Sequence, residues 1–253
     1  MCTLSVVTRA DGYLLAMNRD EKIARGAGTP LRIHAANGVK AARPGDGGGG
    51  TWIAANQFGI AFALLNWNDV PEANVTLDRP RSRGQVITPL IGCFSSHDVQ
   101  SALDSTDLIG VRPFRLIGVL PADREIREWR WNARQIETVA HPWRWRHWFS
   151  SSLSDKRAET LRGRACSLAL EASDSGSSPW LRRLHASHAG EPGPFSLCVH
   201  RDNVQTLSYS EIACTASWVH VKHFIGNPCS TEQFDEVQLE RLAAGGLPRK
   251  AAI

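Results

Sequence analysis

Residues 2–18 encode a β-hairpin. Cys2-Thr-Leu-Ser-Val-Val-Thr8 is β-rich, Ala10-Asp11-Gly12 supplies a turn, and Tyr13-Leu-Leu-Ala-Met-Asn18 returns. A strand that begins at residue 2 is tied into a sheet instead of fraying. A second hairpin is predicted from Thr51–Ala55 and Gly59–Leu65, joined at Asn56-Gln-Phe-Gly59. Its return strand is nearly all apolar, as expected when both faces are covered. Phe195–His200 and Val204–Tyr209 read as a third hairpin, and Trp218–Phe224 as a last strand. Phe114–Leu120, Ile126–Trp131 and Gln135–Val139 add further strands. The connection carrying Pro30, Pro44 and Gly47–Gly50 reads as a polar loop.

Helical spacing appears in Ser82–Phe94, in a short stretch from His97 to Leu103, and from Ser154 to about Ala172. Ser154-Asp155 caps the last of these, whose buried face is expected to be Ala158, Leu161, Ala165, Leu168 and Ala169. Ser173–Pro179 reads as a loop, and the chain after about residue 230 as a polar tail with one amphipathic stretch near Phe234–Leu242. Hairpin pairs with helices grouped between them predict an α+β fold, two antiparallel sheets sandwiched by helices, in a single domain over residues 1–253.

Composition narrows the class further. With 42% hydrophobic and 21% charged residues, neither a disordered chain nor a coiled coil fits. The longest apolar stretches fall well short of the ~20 residues that cross a bilayer, so no membrane insertion is expected. A net charge of +4 from 29 basic and 25 acidic residues is too mild to indicate a nucleic-acid partner. Six cysteines occur without a C-x-x-C pair, in a chain large enough to need no disulfides. They are read as free thiols in a reducing cytoplasm, most of them buried fillers.

Cys2 stands apart. Removal of Met1 would leave a thiol and a free α-amine on one residue. The amine, with a reference pKa of about 7.7–8.0, can accept the thiol proton, and the thiolate can attack a carbonyl without a separate histidine. Asn18-Arg19-Asp20-Glu21 ends the second strand with four polar groups, which reads on its own as a solvated turn.

Taken with Met1-Cys2-Thr3-Leu4, Gly49-Gly50-Thr51-Trp52-Ile53, Asn56, Ser82-Arg83-Gly84, Phe149–Leu153, His185 with His188, and Phe195–Arg201, the motif resembles the NRDE family, that of transport and Golgi organisation protein two. That family is similar in turn to the N-terminal nucleophile hydrolases, especially the choloylglycine hydrolase and penicillin V acylase group. The resemblance implies a four-layer αββα sandwich with a cysteine opening a central strand. It also implies hydrolysis of a non-peptide amide in a small acylated molecule, with no cofactor.

Carried over residue by residue, Cys2 matches the nucleophile. Asn18 and Asp20 match an Asn-x-Asp whose carboxylate anchors the α-amine. Asn66 in Leu64-Leu65-Asn66-Trp67 matches an oxyanion donor. Arg19 is a candidate thiol-stabilising arginine, although the acylase arginine precedes the Asn, where Met17 stands here. Neighbours on a strand point to opposite faces, so Arg19 and Asp20 cannot both face Cys2 on a regular strand; Asp20 is the favoured one. Ser151, within Ser150-Ser151-Ser152, falls where relatives carry an Asn, and Trp52, Ser151 and His188 are expected to line the substrate site.

The remaining constellations carry less. His185-x-x-His188 and His200 invite a metal reading, but the spacing is not that of a zincin and no acidic partner is near, so no metal is expected and Cys198 is read as a core thiol. Five tryptophans between Trp129 and Trp148 interleave with Arg127, Arg130, Arg144 and Arg146, as packing or as an apolar substrate wall. Gly47–Gly50 is not a phosphate loop, lacking a following Gly-Lys-Ser/Thr, and is read as permitting close backbone approach. Eukaryotic relatives have been linked to haem trafficking and to lipid metabolism. The alternative is therefore a non-enzymatic haem or acyl-lipid binding protein on the same fold, with haem or acyl-CoA as its ligand. A secretory-pathway role is the lesser reading.

Overall fold

The computed structural model describes residues 2–71 and 80–243; expectations on Met1 and on the tail past residue 243 fall outside the described residues. The strands in chain order are β1 (Cys2–Thr8), β2 (Tyr13–Lys22), β3 (Thr29–Ala36), β4 (Val39–Gly45), β5 (Ile53–Asn56), β6 (Ala61–Asn66), β7 (Phe114–Leu120), β8 (Glu125–Trp131), β9 (Ile136–His141), β10 (Arg146–Ser150), β11 (Val204–Cys214), β12 (Trp218–Ile225) and β13 (Phe234–Glu240). Among the described residues three α-helices accompany them: α1 (Ser96–Asp104), α2 (Asp155–Ala169) and α3 (Ser178–Ala186). One antiparallel sheet has the order β10-β1-β2-β11-β12-β13, and the other runs β3 to β9 in sequence.

Alternation along the first hairpin decides which side faces where. Leu4 and Val6 of β1, with Leu15 and Met17 of β2, enter the core between the sheets. Val7, Leu14 and Ala16 face the other way and are covered by Trp180 and Leu181 of α3 and Ala158 of α2. The outer face of the second sheet is covered by α1 and two 3-10 turns, Arg83–Val86 and Thr88–Gly92, through Ile87, Leu90 and Leu103 packed on Phe62 and Trp129. The result is the four-layer αββα sandwich. No helix among the described residues is long and apolar enough to cross a membrane.

Several local expectations are corrected. Residues 29–45, read as a polar loop, form the β3–β4 hairpin at a sheet edge, where alternate side chains such as Arg32 and Lys40 stay exposed. Phe195–His200 is not a strand; it meets β11 at the bridge His200–Gln205 and through Val199–Thr206 hydrogen bonds, while β11 pairs with β2 and β12. The amphipathic stretch in the presumed tail is edge strand β13. Helix α3 starts at Ser178 inside the segment read as a loop: Ser177 caps it by accepting from Trp180 N–H, and Pro179 occupies the first turn, where its missing donor costs nothing. His185 therefore lies on a helix. Helix α2 buries Asp155, Ala158, Arg162 and Cys166, whereas Leu161 and Leu168 are exposed.

Between the sheets sits a buried ion cluster. Glu128 of β8 accepts hydrogen bonds from Arg115 Nε at 2.6 Å, Arg130 Nε at 3.0 Å and Trp148 Nε1 at 3.3 Å, with His141 Nε2 at 2.8 Å. Burial alone would raise its carboxyl, but the bonds from Arg130 and Arg115 outweigh burial and hold it at about 2. A carboxyl lowered in the folded state stabilises above its ordinary 4.5, and that contribution is lost as pH falls toward 2. The shift corresponds to roughly 3 kcal/mol. Urea unfolding is expected to show wild-type stability dropping by that order between pH 4.5 and 2. Glu128→Gln should be less stable at neutral pH and flatter across that window; an equally steep fall in the variant would remove Glu128 as its source.

Candidate active site

Cys2 opens β1, an inner strand hydrogen-bonded on both sides. Its register partners are Arg19 on β2 and Ser150 on β10. Directly opposed residues on an antiparallel pair share a face, so the side chains of Cys2, Arg19 and Ser150 all point between the sheets. This departs from the expectation that favoured Asp20 as the residue facing Cys2. Asp20 lies on the opposite, helix-covered face of β2, and Arg19 is the neighbour of the thiol.

Arg19 is held in place rather than solvated. Its guanidinium lies 4.4 Å from the Trp52 ring centroid, donates to Gly26 C=O at 2.9 Å and sits 3.8 Å from Glu21. Burial lowers its pKa, opposed by Glu21 and by Cys2. Burial raises the Cys2 thiol; Arg19 and the Asp20 N–H pull it down, while the Asp20 carboxylate adds to the rise.

On the other face a second set of polar groups is buried under α2. Asp20 accepts from Thr206 Oγ1 at 2.6 Å and from the Arg162 guanidinium at 3.4 Å. Arg162 also donates to Thr3 Oγ1 at 2.8 Å and to Cys2 C=O at 3.3 Å. Burial raises the Asp20 carboxyl, and Arg162 is the largest side-chain influence against it. Asn18 Nδ2 donates to His185 C=O and Leu197 C=O, both at 2.8 Å, so it fastens the end of α3 and the loop after it. The four-residue motif is thus no solvated turn: Asn18, Arg19 and Asp20 are all buried, on alternating faces.

Cys2, Arg19, Trp52 and Asn66 line one cavity of about 300 Å³. It is walled further by Arg25, Arg81, Arg83 and Arg112, with Asp20, Glu21 and Asp46 as acidic lining residues. No histidine and none of the tryptophans from Trp129 to Trp148 belongs to this lining among the described residues, so the expected apolar wall is absent here. Trp129 instead packs on the outer face of the second sheet, and Trp148 is buried on Glu128. Arg83 is the most exacting of the wall residues. It donates to Pro113 C=O at 3.3 Å and makes no ion pair among the described residues. Burial drops its pKa to about 10, with Cys2 and Glu21 opposing the fall.

The wall carrying Arg83 is fixed by the glycine run. Asp46 accepts from the N–H groups of Gly48 and Gly50 and from Ser82 Oγ, and Thr51 N–H donates to Gly84 C=O. A Cβ on Gly50 would lie 2.7 Å from the Gly84 carbonyl carbon. Only backbones can meet this closely, which is the close approach read from the run.

The other candidates lie elsewhere. Ser151 is not in the cavity lining; its N–H donates to Asp155 Oδ1 at 2.6 Å, and the same carboxylate receives Asn68 N–H at 2.7 Å, so Asp155 pins two loops beside the site. Ser150 is the serine opposite Cys2, with a buried Oγ lacking a partner among the described residues. His188 is outside the cavity, beside His200 at 5.0 Å between ring centroids. Two residues escaped the sequence reading. Arg83 sat inside the quoted Ser82-Arg83-Gly84 block, and Arg162 lay in the row Ala158–Arg162–Cys166, a charge on a stripe of small residues.

A family model described as Transport and Golgi organisation 2 matches residues 1–156. The chain belongs to that family. The match spans both faces of the Cys2 hairpin and the arginine wall, but ends within α2, short of Arg162. Among solved structures, a penicillin V acylase from Agrobacterium tumefaciens aligns at 10% identity with a TM-score of 0.51, over 94% of this chain and 86% of that one. The C2A mutant of a conjugated bile acid hydrolase from Clostridium perfringens aligns at 10% identity with a TM-score of 0.50, over 94% and 92%. Both are N-terminal nucleophile hydrolases, so this family member has that fold. No curated protein matches the chain.

Proposed function

We propose that the protein is a cytoplasmic cysteine N-terminal nucleophile hydrolase that cleaves the acyl C–N bond of a small anionic molecule. The observation that carries this reading is the pairing of Cys2 with Arg19 on one face at the base of an arginine-walled cavity. With Met1 removed, the α-amine takes the thiol proton and Sγ bonds to the acyl carbon. Arg19 favours the thiolate. Asn66, and the Ser150 hydroxyl, would donate to the oxyanion, an effect of about 3 kcal/mol for a well-aimed donor. The C–N bond then breaks as the α-ammonium returns its proton to the leaving amine. Water attacks the thioester, the amine accepts its proton, and the acid departs as the thiol reforms. Asp20, held by Arg162 and Thr206, would steady the amine; a nearby carboxylate also favours its charged form.

The wall supplies the substrate class. A half-buried guanidinium that makes no ion pair among the described residues is poised for a ligand anion, and arginine suits carboxylate and phosphate alike. Comparing N-acyl amides whose amine half carries a carboxylate with neutral isosteres tests this. The acid form is expected to be preferred, and Arg83→Ala to raise its KM about tenfold or more while leaving the neutral analogue unchanged. Equal turnover of both forms in the wild type would sink the anionic assignment.

A further inference from the structure

On the far side of the six-stranded sheet from the Cys2 thiol, three chain segments converge. His188 follows α3, Cys198 and His200 sit in the loop that leads to β11, and Cys229 lies in the turn after β12. Their donor atoms all lie within 4.8 Å of one another. His200 Nε2 is 3.5 Å from both Cys198 Sγ and Cys229 Sγ. The fourth donor is uncommitted: His188 Nε2 is buried and has no hydrogen-bond partner among the described residues. An imidazole nitrogen removed from water without a partner carries a desolvation cost that a ligand would offset.

We propose that His188, Cys198, His200 and Cys229 bind one zinc-class divalent cation. The donor set is two thiols and two imidazoles, the combination that selects tetrahedral zinc. Metal–ligand bonds of about 2.0–2.3 Å put tetrahedral donors roughly 3.3–3.8 Å apart, so the set needs to close by only about 1 Å at its widest. On binding, both thiols release their protons to solvent as the metal–sulfur bonds form. All four positions are taken by protein, so the ion is structural.

The location gives the ion a purpose. Leu197 C=O receives Asn18, and Val199 N–H donates to Thr206 Oγ1, which in turn donates to Asp20. A cation at Cys198 would lock the loop that holds both Asn18 and Asp20, tying the turn after β12 to it. Sequence spacing concealed the set, because Cys229 lies on a separate turn and the remaining three ligands match no standard zinc motif.

Elemental analysis of dialysed protein is expected to find one zinc per chain in the wild type and in Cys2→Ala. Content should fall about tenfold or more in Cys229→Ser, whose side chain is exposed and whose loss leaves the core intact. Chelated wild-type protein titrated with Co²⁺ should develop a thiolate-to-cobalt charge-transfer band and the intense visible bands of a tetrahedral site, both missing in Cys229→Ser. Circular dichroism checks that the variant is folded. Three results would overturn the proposal: no thiolate–cobalt band in the wild type, zinc retained in Cys198→Ser/Cys229→Ser, or a Cys198–Cys229 disulfide mapped in protein kept under reductant.

Discussion

Cys2→Ala is expected to abolish acylation of the protein, with turnover reduced by at least ~10³-fold. The cavity offers few substitutes for its sulfur. Thr51 Oγ1 already donates to Ile53 C=O, and Ser82 Oγ to Asp46. Both hydroxyls are committed, and Asp46, the carboxylate beside Ser82, is itself taken up by the N–H groups of Gly48 and Gly50. The thiol itself is pushed up by burial, so a thiolate is scarce at neutral pH unless a proton acceptor lies within reach. In the proposed mechanism, the α-amine freed by loss of Met1 is that acceptor. Two predictions separate the amine from the thiol. Purified protein should have the mass of the chain without Met1. A variant with two residues inserted between Met1 and Cys2 should keep a thiol that alkylates, yet lose turnover as completely as Cys2→Ala. Labelling by an acyl probe that is unchanged in Cys2→Ala would refute the nucleophile. Saturable haemin or acyl-CoA binding that survives Cys2→Ala, in a protein that turns over no amide, would put the binding reading in its place.

The hairpin that presents Cys2 was legible because its alternation is clean: Leu4 and Val6 against Leu15 and Met17, with a glycine turn between. The polar end of the same hairpin was misread. Asn18, Arg19 and Asp20 look solvated because their partners, Leu197, Trp52, Thr206 and Arg162, lie 33 to 186 residues away. Local patterning cannot show a buried charge whose counter-charge arrives on another element. Choosing Leu161 and Leu168 for the buried face of α2 follows the strongest apolar residues, but the sheet below presents Thr3 and Asp20, and these select the row containing Arg162. Edge strands β3 and β13 were missed for a related reason: one side of each meets solvent, so their composition resembles loop.

Arg162→Met is expected to destabilise the protein by about 3–5 kcal/mol, the usual effect of removing one partner from a buried ion pair. Arg162 and Asp20 are both buried, and the guanidinium also binds Thr3 Oγ1 and Cys2 C=O. Losing it takes away the charge that most opposes the burial-driven rise of the Asp20 carboxyl. The double variant Asp20→Asn/Arg162→Met should therefore lose less than the sum of the two single variants, with a coupling of about 1–3 kcal/mol. The pH dependence has a definite sign. A carboxyl raised in the folded state destabilises as pH climbs through its folded value, and this is relieved once the group is protonated. The gap between Arg162→Met and the wild type should consequently narrow as pH falls, whereas in the Asp20→Asn background the same substitution should cost nearly the same at every pH. Urea unfolding of the four proteins across the acid range measures both quantities. Additive, pH-independent losses would mean that Arg162 only fills space beneath α2, and the amine-steadying role proposed for Asp20 would lose its support.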